Sequence, residues 1–235
     1  MNPTHVAVSS DQIPFVAVGI CRTSYGNLHT GVVYRGEDEK FRLFHQAWHH
    51  QTCDEPLQEG SERMGGPFLC IVPNIPKERA IVIAEFWSFV ASLKQPIGYA
   101  LKDDVDARFD PFTGVLTLPN GIGLSCSTFV LVMFRSARWP YLDTTDWPKV
   151  RSDDTKFQAE LVNLLDKTCF DKKHVEAVKE EVGCARIRPE EAADVALYQN
   201  LPVRFQEAEK AGFFVHGSVH VRGLFSPCPG MKKSD

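Results

Sequence analysis

Cys126 and two upstream histidines are the residues of this sequence best suited to chemistry. The cysteine lies in Asn120-Gly121-Ile122-Gly123-Leu124-Ser125-Cys126-Ser127-Thr128, directly before the apolar run at 129–134. This pattern predicts a glycine-rich turn that leads into a buried helix, with the cysteine in its first turn. Unpaired backbone N–H groups and the helix dipole favour thiolate over thiol at such a position, and thiolate is the nucleophilic form. The sequence therefore indicates a thiol nucleophile.

The histidines supply the second part of such a site. His29 lies in Leu28-His29-Thr30-Gly31-Val32-Val33-Tyr34-Arg35, and His45 ends Phe41-Arg42-Leu43-Phe44-His45. A cysteine nucleophile needs an imidazole as base and acid, and that imidazole needs a third polar group to fix its tautomer. We predict that His29 is the base, that His45 orients it, and that the backbone N–H of Cys126 forms part of an oxyanion hole. His49 and His50 remain alternatives to His45 as the third residue.

A β-hairpin must bring the two histidines together. Residues 28–35 and 40–48 read as strands joined by a polar turn at 36–39, and a register that pairs Arg35 with Glu39 places His29 opposite His45. In that register the histidines share one face with Gly31, Val33, Phe41 and Leu43, because side chains alternate along a strand. We expect this apolar face to pack on the cysteine helix. A slip of the register by one residue would break the pairing.

The remaining elements predict an α+β fold. Strands are expected at 13–21, 68–72 and 115–118, helices at 77–93 and 125–138, and loops at 49–66 and 95–119. After a linker at 143–154 we expect helices at 154–167, 171–181 and 188–199, and a last strand at 213–224. Strands come first and helices afterwards, as in α+β proteins. We predict a catalytic domain at 1–142 and a helical extension at 143–235 that packs on it.

These segments resemble the circularly permuted NlpC/P60 papain-like superfamily, which includes lecithin:retinol acyltransferase-like and PPPDE-like proteins and uncharacterised bacterial members. Residues 28–34 resemble its histidine strand, residues 41–45 its second strand with the third residue, and residues 124–130 its nucleophile segment. The resemblance covers residues 13–138. It implies an antiparallel sheet packed on the nucleophile helix and a thiol hydrolase activity. The acyltransferase branch usually has Asn-Cys-Glu-His-Phe at the nucleophile, whereas this chain has Ser125-Cys126-Ser127-Thr128-Phe129.

Composition narrows the functional classes. The net charge of −4 gives no basic surface for nucleic acid or anionic lipid. Seven cysteines without a C-x-x-C pair indicate free thiols in a reducing compartment, and no signal peptide or membrane-spanning segment is predicted, so we expect a cytoplasmic protein. His49, His50 and Cys53 lack a second pair at ligand spacing, so neither a metal nor another cofactor is predicted. The oligomeric state is left open.

We therefore expect a cysteine hydrolase that cleaves an amide bond of peptide, isopeptide or cell-wall peptide type through a thioester. Two alternatives stay open. A lipid thioesterase or acyltransferase on the same scaffold would be favoured by an apolar groove near the cysteine. A non-catalytic peptide-binding module would have an ordinary thiol at Cys126 and no imidazole within hydrogen-bond reach.

Overall fold

A computed structural model of the chain describes residues 6–7, 13–139, 141–149 and 151–210. Its strands are β1 (Val6–Ala7), β2 (Val16–Arg22), β3 (Leu28–Arg35), β4 (Phe41–Trp48), β5 (Gln51–Pro56), β6 (Leu69–Ile71), β7 (Arg108–Phe109) and β8 (Leu116–Thr117). Its helices are α1 (Leu57–Met64), α2 (Lys77–Ser92), α3 (Cys126–Ser136), α4 (Ser152–Thr168), α5 (Lys172–Glu180) and α6 (Pro189–Asp194). A 3₁₀ turn at Val195–Leu197 follows α6, and residues 205–210 are helical.

One antiparallel sheet organises the fold. In the described residues six strands pair in the order β1-β6-β2-β3-β4-β5, and β7 and β8 form a separate two-stranded ladder. The chain runs directly from β2 to β5 through neighbouring strands, while β6 returns to the other edge of β2. An antiparallel sheet with helices that follow it in sequence confirms the predicted α+β class.

The β3–β4 hairpin has a different register from the predicted one. Arg35 pairs with Phe41, two residues beyond Glu39, because the connection is longer and closes with the Gly36 N–H donating to the Lys40 carbonyl at 2.8 Å. The predicted register, with His29 directly opposite His45, is therefore wrong. A shift of two residues keeps every side chain on its predicted face, so the histidines still share a face and meet as diagonal neighbours.

The two faces of the sheet have different coverings. On one face Val32 and Phe44 pack with α3, where the rings of Phe44 and Phe129 meet at 4.9 Å. The other face carries the histidines, and there Val33 and Leu43 pack with α1. The prediction that the histidine face packs on the cysteine helix is therefore wrong: α3 covers the opposite face.

The segment that covers the histidine face was predicted to be a loop. Residues 49–66 instead contain the edge strand β5 and helix α1, which packs Leu57 and Met64 under the sheet. Their polar composition concealed both elements, because an edge strand and a short surface helix each need only a few apolar contacts. Gly60 is buried in α1, and a Cβ there would come within 2.7 Å of the Leu43 side chain.

Of the helices after residue 150, α6 packs on the same sheet, whereas α4 and α5 form a separate hydrophobic cluster with Tyr99 and Leu101. Ala192, Ala193 and Val195 belong to the hydrophobic cluster that contains α3 and the core strands. A buried ion-pair network joins Arg151 to Asp154 at 2.6 Å and to Glu191, which fixes α4 against α6. The domain boundary at residue 142 stays a prediction, and the strand predicted at 213–224 lies outside the described residues. Each helix of the described residues is too short or too polar to cross a membrane.

Candidate active site

Local sequence places Cys126 as the first residue of α3. The preceding Ser125 is the N-cap: its side chain accepts the Thr128 backbone N–H at 3.2 Å, and the Thr128 hydroxyl accepts the Ser125 N–H at 2.8 Å. This reciprocal capping box fixes the helix start. The turn before the helix passes so close to Gly98 that residue 123 must be glycine, because a Cβ there would lie 2.1 Å from the Gly98 carbonyl oxygen. The cysteine is thus held at a rigid, capped helix terminus.

The Cys126 thiol is half-buried and neutral at rest. Burial raises its pKa above the ordinary value, and this effect outweighs the backbone N–H of Thr30, the hydroxyl and N–H of Ser127, and the charge of Arg186, each of which favours the thiolate. The Ser127 hydroxyl lies 4.0 Å from the sulfur. The prediction from the helix dipole was a thiolate, and burial reverses it.

His29 and His45 form a direct imidazole pair. Nε2 of His29 and Nδ1 of His45 lie 2.6 Å apart, with the rings edge to face and their centroids 4.8 Å apart. Both side chains are buried, and burial lowers the pKa of each imidazole, most strongly at His29. Gly31 makes room for the pair, since a Cβ at that position would lie 2.6 Å from the Cβ of His45. Both rings are therefore neutral and fixed in place.

A second layer, which the sequence did not predict, lies behind His45. Nε2 of His45 is 3.3 Å from Oε1 of Glu55 on β5 and 3.0 Å from Nη2 of Arg63 on α1. Arg63 is also paired with Glu55, and its Nη1 donates to the Cys53 sulfur at 3.1 Å. These residues belong to the segment predicted as a loop, so no period or motif in the sequence identified them.

Cys126 and His29 line the same pocket, which has a volume of about 730 Å³. The pocket opens at the end of the sheet where β3 begins, and α4 forms one of its walls. Its large apolar and aromatic lining residues are Tyr25, Leu28, Trp48, Met64, Tyr99, Leu101, Phe157, Leu161, Leu164 and Ile187. Arg63 and Arg186 supply positive charge, and Arg186 is fixed by Asp154 at 2.9 Å and by stacking 3.6 Å from the Phe157 ring.

The Cys126 thiol lies near the N-terminal end of β3, which carries His29, and not against the face of the sheet that carries the histidines. Its sulfur interacts with the backbone N–H of Thr30, the residue that follows His29. In the described part of the chain no hydrogen bond joins Cys126 to the His29 ring, and Nδ1 of His29 has no hydrogen-bond partner. The structure therefore brings the two groups to one pocket without a thiol–imidazole hydrogen bond, and on this point it meets the expectation for the non-catalytic peptide-binding module and not that for the hydrolase.

Comparisons with the models of known protein families, with curated proteins and with solved structures found no match to this chain. The case for a function therefore depends on the geometry of this molecule alone.

The alternative histidines take part in a separate cluster. Nε2 of His49 lies 3.3 Å from the Cys169 sulfur, and Nδ1 of His49 accepts the Tyr99 backbone N–H at 3.2 Å. The rings of His50 and His174 lie 3.9 and 4.4 Å from that of His49. Burial and these two neighbouring imidazoles lower the pKa of His49 to about 4. Among the described residues, no group of three or more His, Cys, Asp or Glu side chains is arranged to hold a metal ion.

Proposed function

We propose that this protein is a cysteine hydrolase with a permuted papain-like fold that cleaves an amide bond of peptide, isopeptide or cell-wall peptide type. The observation that supports the proposal best is the shared pocket: Cys126, at a capped helix start, and His29, fixed by His45, face the same space. A nucleophile, a base held by a third group, and room for a substrate beside both are the parts that acyl transfer requires.

The reaction uses these residues in two half-reactions. Nδ1 of His29 takes the thiol proton as the Cys126 sulfur attacks the substrate carbonyl carbon. The imidazolium then gives that proton to the amide nitrogen, the C–N bond breaks, the amine leaves and a thioester remains on Cys126. In the second half-reaction His29 takes a proton from water, which attacks the thioester, and the sulfur regains the proton as the acid departs.

The neutral resting state suits this sequence of steps. Burial raises the pKa of the thiol and lowers the pKa of His29, so the pair is an uncharged acid and an uncharged base before substrate binds. Catalytic hydrogen bonds are often long in unliganded enzymes and shorten in the substrate complex. We therefore assign His29 as a general base that acts during attack, in place of a preformed thiolate–imidazolium pair.

The helix terminus supplies charge stabilisation at the same point. The first backbone N–H groups of an α-helix have no intrahelical acceptor, and the Cys126 N–H is one of them. The N-cap uses the Thr128 N–H, and the Ser127 N–H interacts with the sulfur. We assign the N–H of Cys126 as a donor to the oxyanion that forms on the substrate carbonyl.

An activated acyl donor tests the proposal without knowledge of the natural substrate. The protein is incubated with p-nitrophenyl acetate and with a panel of aminocoumarin peptides, and acylation is mapped by peptide mass spectrometry. We expect acetylation at Cys126 and release of nitrophenolate, both lost in Cys126→Ala. If the wild type shows neither acylation nor peptide cleavage, the hydrolase is excluded and the peptide-binding module becomes the better account.

A lipid thioesterase or acyltransferase is the second candidate, and the apolar pocket lining favours it. Trp48, Leu161 and Leu164 form part of a surface that could bury an aliphatic chain. A series of p-nitrophenyl esters from acetyl to decanoyl separates the two candidates. A steep increase in kcat/KM with chain length supports the acyl substrate, whereas a flat series combined with peptide cleavage supports the amide substrate.

We propose a cytoplasmic location for this activity, because unpaired cysteines are typical of proteins in reducing compartments. The six cysteines of the described residues are all unpaired, as such a compartment would leave them.

A further inference from the structure

Glu55 and Arg63 form an ion pair behind the two histidines that the proposed mechanism does not use. The side chain of His45 is fully buried, that of Glu55 is 18% exposed, and that of Arg63 is 43% exposed. The three groups come from three elements, β4, β5 and α1, and meet at a single atom, Nε2 of His45. The contacts at this atom decide which nitrogen of His45 carries the proton.

A neutral imidazole has one N–H, and two arrangements of the proton are possible here. In the first, Nε2 of His45 carries the proton and donates to Glu55, so Nδ1 is an acceptor. In the second, Nε2 accepts from Arg63, so Nδ1 carries the proton. The two arrangements have opposite consequences for His29, whose Nε2 lies 2.6 Å from Nδ1 of His45.

The charges around Nε2 favour the first arrangement. Burial raises the pKa of Glu55, but hydrogen bonds from His45 and Arg63 outweigh burial, and the pKa falls below its ordinary value. Glu55 is therefore an ionised carboxylate, which can only accept hydrogen bonds. Its contact with His45 at 3.3 Å is favourable only if Nε2 carries the proton. Arg63 donates to Glu55 through Nη2 and to Cys53 through Nη1, and the second N–H of Nη2, which lies 3.0 Å from Nε2 of His45, is the donor that the second arrangement would use.

We propose that Glu55, held in place by Arg63, is a positioning residue that keeps the proton of His45 on Nε2. Nδ1 of His45 then accepts the Nε2–H of His29, and Nδ1 of His29 remains unprotonated toward the pocket. Only this last consequence rests on the proposed function, because an unprotonated Nδ1 is what a base for the Cys126 thiol needs. The proton arrangement itself is a property of the fold.

Nitrogen NMR of histidine reads this arrangement directly. Protein labelled with ¹⁵N-histidine is studied by long-range ¹H–¹⁵N correlation at about pH 8, above the ordinary histidine pKa. The signals of the pair are identified from His29→Gln and His45→Gln. We expect Nε2–H tautomers for both His29 and His45 in the wild type. An Nδ1–H tautomer at His45 would overturn the proposal.

Three variants test the role of the carboxylate. In Glu55→Ala the His45 proton is expected to move in large part to Nδ1, with Arg63 free to donate to Nε2. Glu55→Gln, which has the same shape and keeps an oxygen acceptor, should retain more of the original tautomer. Glu62→Gln on the surface of α1 is the matched control and should leave the spectrum unchanged. An unchanged His45 tautomer in both Glu55 variants, with wild-type thermal unfolding, contradicts the proposal.

The rate of Cys126 acylation by p-nitrophenyl acetate provides a separate readout. Glu55→Ala should slow acylation by about tenfold or more, because a wrong tautomer removes the base, as it does in the Ser-His-Asp triad, and Glu55→Gln should recover part of the rate. Acylation that is absent in the wild type would remove the proposed function, while the NMR spectrum would still decide the tautomer. A normal acylation rate in a Glu55→Ala protein with a shifted tautomer would show that the carboxylate does not serve the nucleophile.

Discussion

Two of the places where a cysteine lies near a histidine in the described residues differ in what surrounds them. At Cys169 the sulfur lies 3.3 Å from Nε2 of His49, within hydrogen-bond distance. At Cys126 no such bond joins the sulfur to His29 in the described structure. By distance alone, the first pair is the better candidate for a nucleophile and its base.

The Cys126–His29 pair is the better candidate when the free lone pairs of the imidazoles and the space beside them are compared. Nδ1 of His49 accepts the Tyr99 N–H, so the single imidazole proton of His49 is on Nε2 and points at the Cys169 sulfur. The thiol of Cys169 in turn donates to the Asp171 carbonyl at 3.6 Å. That cluster is a closed network that joins the α4–α5 junction to β4. Cys126 and His29 instead line a pocket, and the free nitrogen of His29 is available there. Contact alone does not make a catalytic pair; an open lone pair beside substrate space does.

Removal of each sulfur should produce the largest contrast between the two places. We expect Cys126→Ala to reduce turnover of p-nitrophenyl acetate by about a thousandfold or more, because the nucleophile is lost. Cys169→Ala should stay within about twofold of wild type, since its sulfur has no role in acyl transfer. Steady-state kinetics on purified, folded variants measures both. Equal losses in the two variants would remove the distinction drawn between the sites.

Gly31, which lies against His45, allows a test of the histidine pair through the free energy of unfolding. Gly31→Ala places a Cβ 2.6 Å from the His45 Cβ and 3.0 Å from the Phe44 carbonyl oxygen, so the hairpin must shift. We expect a loss of about 1–3 kcal/mol in the free energy of unfolding, as overpacking usually gives. Gly66→Ala is the control, because its nearest contact is an ordinary 3.5 Å. Urea unfolding that finds the two variants equal would contradict the close approach at Gly31.

Histidine protonation should make stability fall at acid pH. The pKa values of His29, His45 and His49 are lowered in the folded protein, that of His49 to about 4, whereas unfolded histidine titrates near 6.5. Between these values the unfolded chain binds more protons. Their contribution to stability is therefore complete above about pH 6.5 and is lost as the pH falls toward 4.

Urea titrations at several pH values check this dependence in the wild type and in His49→Gln. The wild-type free energy of unfolding should decline from pH 7 downward, and His49→Gln should decline less steeply, because one of the three groups is absent. A free energy that is flat over this interval would show that these imidazoles titrate normally in the folded state.

The smallest expected effect is on stability at Cys169. Truncation of this buried side chain to alanine removes a sulfur from a closed network, and we expect a loss of about 1 kcal/mol. Cys126 lines a pocket, so its truncation leaves no sealed cavity and should cost less. Thermal unfolding of the two alanine variants makes this comparison, and a larger loss at Cys126 would contradict the assignment of Cys169 as the structural member.

The sequence predicted secondary structure correctly where a regular pattern of apolar residues lies in an element that is buried. Strand β3 and helix α3 lie where alternation and an apolar run predicted them, and the face shared by His29 and His45 followed from the pleat alone. The glycine-rich lead-in has a structural basis that the sequence did not predict, since Gly123 passes directly against Gly98.

Other features depended on tertiary contacts that no local pattern contains. The hairpin register is set by the geometry of its connection at residues 36–40, and the polar segment at 51–64 folds only because β4 and the histidine face offer it partners. Glu55 and Arg63 were missed for that reason. The raised pKa of Cys126 was missed because burial depends on the assembled core. The helix start, and with it the helix dipole, could be predicted from the sequence.

The most direct test of the central claim is the site and histidine dependence of acylation. Wild-type protein, His29→Ala and His49→Ala are treated with p-nitrophenyl acetate, and the acetyl group is located by peptide mass spectrometry at successive times. We expect acetylation at Cys126, slowed by about a hundredfold or more in His29→Ala and unchanged in His49→Ala. Acetylation at Cys169, or a Cys126 rate that does not depend on His29, would contradict it.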